Sequence, residues 1–81
     1  MPRYFLNLRD PGHLTEDPEG EELLDLSLAI EAAVASARDV LGDRLKQRKR
    51  ADGVGSQIEV ADKHGAILAV VQLSDVASGM R

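Results

Sequence analysis

Between Arg3 and Arg9 apolar and polar positions alternate, with Tyr4, Leu6 and Leu8 on one side and Arg3, Phe5, Asn7 and Arg9 on the other. A period of two predicts a half-buried strand. Asp10-Pro11-Gly12 then supplies turn chemistry, and His13 to Glu16 predicts a short returning strand, so the chain opens on a hairpin. Asp17-Pro18-Glu19-Gly20 fits a type I turn position by position, with Asp first, Pro second and Gly fourth. From Leu26 to Gln47 the period becomes helical, placing Ile30, Ala33, Val34, Ala37, Val40, Leu41 and Leu45 on one broad face and Glu31, Arg38, Asp39, Gly42 and Lys46 opposite. Asp25 or Ser27 is the expected N-cap, and Gly42 is a place where the helix could end early.

After the helix, "ADGVGS" (51–56) reads as a loop and "QIEVA" as a strand with Ile58 and Val60 on one side. Asp62-Lys63-His64-Gly65 repeats the Asp-x-x-Gly turn. "AILAVVQL" (66–73) is apolar on both sides, which predicts a strand in the centre of the sheet. The tail from Ser74 onward is expected to fray. The fold class is therefore α+β, in the order β-β-α-β-β: an antiparallel sheet of three or four strands with one amphipathic helix packed on one face.

Length and composition narrow this further. With 81 residues the chain makes a single domain, 1–81, with an expected ordered core of about 2–73. Tyr4 and Phe5 are its only aromatics, so the core must be built from Leu, Ile, Val and Ala, a thin margin that invites burial against a second copy. The absence of cysteine excludes a disulfide scaffold and any thiolate site, and it suits a reducing cytoplasm. Neither a signal-peptide-like run nor a stretch of membrane-spanning length is found, so a soluble protein without membrane contact is expected.

The order of motifs resembles a known family. "MPRYFLNLRD", then "EDPEGEELLDL" leading into an Ala-rich helix, then "IEVADKHGAIL" are similar to a family of small bacterial domains of unknown function. In that family a Pro-Arg-Tyr-aromatic first strand, an Asp-x-Glu-Gly turn, an Asp-Leu helix start and an Ile-Glu-Val-x-Asp-x-x-Gly hairpin follow in the same order. The likeness runs from Pro2 to about Leu73. Two positions depart from the pattern: Asn7 stands where a His is common, and Leu24 where a Pro often precedes Asp25. A fainter likeness, in plan only, is to partial ribonuclease-H-like antitoxin domains, and fold analogy does not establish function.

Candidate chemistry is sparse. Asp10, Glu16, Asp17, Glu19, Glu21, Glu22 and Asp25 gather half of the 14 acids into one segment, but the spacing matches no calcium loop, and Asp10, Asp17 and Asp25 already have turn or cap positions. His13 and His64 would bind zinc, with Asp17 or Asp62, only if two turns met at one end of the sheet; exposed turn residues are the plainer reading. The serines form no nucleophile elbow, and Gly53-Val54-Gly55 has no helix behind it to cradle phosphate. The run "RLKQRKR" places Arg44, Lys46, Arg48, Lys49 and Arg50 in seven positions, a candidate contact for phosphate or a partner, or else a solvated helix end.

The sequence thus points to a non-enzymatic protein-interaction or regulatory module with no cofactor and no metal. Its expected partner is another protein or a second copy in a homodimer. The alternative is weak nucleic-acid binding through 44–50, as in antitoxin-like regulators, against which the net charge of −4 argues. An enzyme or a metal-binding protein is the second alternative, with no catalytic constellation to carry it.

Overall fold

The computed structural model describes residues 1–47 and 52–79. Strands β1 (Arg3–Asp10), β2 (His13–Thr15) and β3 (Glu21–Glu22) precede helix α1 (Leu26–Lys46), and β4 (Gln57–Ala61), β5 (Ile67–Gln72) and a short helix α2 (Leu73–Gly79) follow. The sheet runs β2-β1-β4-β5, with β3 pairing the start of β1 on the same side as β2, and every pairing is antiparallel. The α+β class is as the sequence predicts, and α1 lies across one face of the sheet.

Strand alternation decides what faces α1. Leu6 and Leu8 of β1 pair with Val60 and Ile58 of β4, which pair in turn with Ala69 and Val71 of β5, and all six join the core under the helix. From α1 the buried residues are Ala29, Ala33, Ala37 and Leu41, a row at helical spacing whose small side chains let the helix backbone settle close to the sheet. The expected apolar face is displaced accordingly: Ile30 and Leu45, predicted on it, stand 36% and 68% exposed. The helix carries more apolar surface than one sheet face can cover, and the smallest residues take the closest approach. Asp25 is the N-cap, accepting from the Leu28 amide at 3.1 Å, and Gly42 does not interrupt the helix.

Two further expectations are corrected. Strand β5 is not central but forms the edge of the sheet: it pairs with β4 alone among the described residues. Residues 74–79 of the tail expected to fray instead continue α2, which starts at the fully buried Leu73 and packs Val76 and Ala77 on the core; 80 and 81 lie outside the described residues. An apolar residue at the strand end followed by another three positions on is a helical stitch too short to register as a period. Gly53 fixes where this stitch lands. Its φ is +73°, and a Cβ there would stand 2.6 Å from Leu73 Cβ and 2.7 Å from the Leu73 carbonyl carbon, so only glycine lets the loop cross the start of α2.

Candidate interaction surface

The acidic segment 10–25 is used structurally. Between β2, which pairs β1 at Leu8–Asp10, and β3, which pairs it at Arg3 and Tyr4, the outer edge of β1 has a gap. Asp17 fills it. Its Oδ2 accepts the Leu6 amide at 3.2 Å, its Oδ1 accepts the Glu19 and Gly20 amides at 3.3 and 3.1 Å, and its own amide donates to Asn7 Oδ1 at 2.9 Å. A carboxylate and a carboxamide thus stand in for the missing strand. Arg3 holds the far end, donating to the Glu19 carbonyl at 2.8 Å and pairing with Glu22 at 3.4 Å.

At the other end of β1, Asp10 receives Arg44 from the last turn of α1 at 2.5 Å and the hydroxyl of buried Ser56, which also accepts from Arg44 at 3.2 Å. Burial pushes the Asp10 carboxyl up. The hydrogen bonds from Ser56 and Arg44, with the charges of Arg44 and His13, outweigh that and hold its pKa below the ordinary value. Of the candidate basic run, Arg44 is therefore committed to joining the helix end, the hairpin and the loop before β4. Lys46 is exposed, and Arg48, Lys49 and Arg50 lie outside the described residues.

The sheet face away from α1 carries a chain of polar contacts across three strands. Arg9 donates to Glu59 Oε2 at 3.3 Å, Gln57 to the same oxygen at 2.8 Å, and Gln72 on β5 to Gln57 Oε1 at 2.9 Å. The Gln57 hydrogen bond lowers the Glu59 pKa; burial opposes it, and the hydrogen bond and charge of Arg9 add to the lowering. Toward the opposite end of this face Phe5, Ala61 and Ile67 border a shallow depression of about 430 Å³. His13 and His64 do not meet. His13 pairs with Asp10 at one end of β1, whereas the turn holding His64 follows Ala61, which pairs with Phe5 five residues back, roughly 17 Å along the strand. Asp62 Oδ1 caps the His64 turn by accepting the His64 and Ala66 amides at 2.8 and 3.0 Å.

Among the described residues, no strand pairs with the outer edge of β5. Ile67, Leu68 and Val70 are 54%, 43% and 44% exposed, and no charged residue or proline interrupts Ile67–Gln72. Because the Leu73 amide donates to the Ser56 carbonyl at 3.1 Å, strand parity turns the backbone groups of Val71 toward β4 and those of Val70 and Gln72 outward. Beside this edge lies a groove of about 400 Å³ between α1, β5 and α2, floored by Val34, Val71 and Val76 and rimmed by Arg38 and Asp75. The sequence marks the strand as apolar on both sides; what it does not show is that, among the described residues, only β4 pairs with it.

A five-stranded antiparallel sheet backed by one long helix, with its polar clusters spent on joining elements, defines a small α+β domain. The chain belongs to the family described as "Domain of unknown function (DUF6894)", which matches residues 3–74. No curated protein and no solved structure matches it significantly. Among the described residues, no helix is long and apolar enough to cross a membrane.

Proposed function

We propose that this chain is a non-enzymatic protein-interaction module that binds through the β5 edge. The observation that carries this reading is the exposed apolar strand Ile67–Gln72 with outward backbone donors and acceptors. Such an edge is a template for adding a strand from another chain, and monomeric proteins usually blunt it with charge or proline. The engagement of Asp10 and Glu59 supports a role without chemistry, since both carboxylates are held by hydrogen bonds within the fold. Regulation would then act by occupancy of the edge.

The test is affinity capture from native cells with the wild-type chain and with Val70→Lys, followed by cross-linking. A protein retained by the wild type, lost with the variant and cross-linked within 67–72 is the expected result. Retention indifferent to Val70→Lys, with cross-links elsewhere, would contradict the reading.

A further inference from the structure

We infer that the occupant of the β5 edge is a second copy of this chain, paired antiparallel about a two-fold axis normal to the sheet, so that two sheets join into one; this rests on the β5 edge being the binding surface. Three observations favour self-pairing. First, the core is small: Leu73 and Val60 are the largest side chains that are fully buried among the described residues, and the helix stripe beneath is mostly alanine. A domain of this size gains most from burying further apolar area, and three large apolar side chains wait on β5.

Second, the strand is suited to meeting itself. A two-fold interface sets the same patch against itself, so any charge on it must face its own kind or a complement. Ile67–Gln72 carries no charge to repel its copy. The strand spans roughly 20 Å, and its outward Val70 and Gln72 backbone groups repeat at the spacing of an antiparallel ladder.

Third, the groove beside the strand is self-complementary. With the axis normal to the sheet, α1 and α2 of both copies lie on the same side, and the two grooves abut above the paired strands. Each rim carries one cation, Arg38, and one anion, Asp75, so two copies can meet cation to anion while Val34 and Val76 close the apolar floor. Ile30, four residues before Val34 on the same row of α1, is 36% exposed and adds apolar surface to that row of the helix.

Sedimentation equilibrium of the full chain from about 1 µM to about 1 mM covers the range of specific dimers of modest affinity. Measured masses should rise toward two chains. Val70→Lys, which alters an exposed side chain and should leave the circular dichroism spectrum intact, should weaken association at least about tenfold, the scale of a small change in interface free energy. Ala35→Lys on the solvent side of α1 should leave it unchanged. A monomeric mass throughout overturns self-pairing, as does association indifferent to Val70→Lys. If the monomeric wild type, but not Val70→Lys, still retains a different protein cross-linked at 67–72, self-pairing fails while the edge-binding reading stands.

Discussion

Asp17 and Asn7 hold each other across the outer edge of β1: the Asp17 amide donates to Asn7 Oδ1 at 2.9 Å, while Asp17 Oδ2 accepts the amide of Leu6, the neighbour of Asn7, at 3.2 Å. Removing the carboxylate leaves the Leu6, Glu19 and Gly20 amides without it. Asp17→Ala should cost about 1–3 kcal/mol, the penalty of stranding part-buried donors, read as a fall in the urea midpoint. Asp17→Asn, which keeps one carbonyl oxygen, should cost less.

Gly53 and Gly12 share a φ of +73° but not their surroundings. A Cβ at Gly12 meets nothing within 4 Å, so Gly12→Ala should cost only the left-handed backbone penalty of about 1–2 kcal/mol. Gly53→Ala adds collision with the backbone of Leu73 and should be the more destabilising of the two by urea unfolding.

Leu73→Ala tests whether α2 belongs to the core. Leu73 is fully buried, so truncation should cost about 2–5 kcal/mol; the discriminating change is Val76→Ala, which should cost about 1 kcal/mol because Val76 packs on the core, whereas a tail frayed from Ser74 would tolerate it with little change in thermal midpoint.

Asp10 and Glu59 set an acid limit on stability. Both carboxyls titrate below their ordinary values of 3.8 and 4.5 in the folded chain. A lowered folded pKa means that their contribution is complete above the unfolded value and lost as pH falls through the folded one. Stability to urea should therefore hold near neutrality and drop below about pH 4.5, and the drop should be shallower in Asp10→Asn/Glu59→Gln.

Much of this architecture is legible in the chain because local chemistry and fold agree. The alternation of Arg3–Arg9, the Asp25 cap, the Asp-Pro-Glu-Gly and Asp-Lys-His-Gly turns and the strand 57–61 each signal themselves within a few residues. What sequence misses is set by tertiary placement. Burial of the Ala29-Ala33-Ala37 stripe in preference to Ile30 depends on how close the helix can approach, and the pairing of β3 is too brief to show a period. Arg44 looks like part of a free basic run until the fold brings Asp10 and Ser56, 34 and 12 residues away, to its guanidinium. Strand β5 is the instructive case: its two-sided apolar pattern anticipates neighbours on both sides, and among the described residues it has only β4.

That mismatch between an interior-like strand and an edge position is the centre of the account, and amide hydrogen exchange at Val70, resolved by NMR, reads it directly. At low concentration the outward Val70 amide should exchange quickly while the Val71 amide, facing β4, is protected; at high concentration Val70 protection should rise toward that of Val71. Fast exchange at Val70 whatever the concentration would contradict pairing of this edge with a second copy.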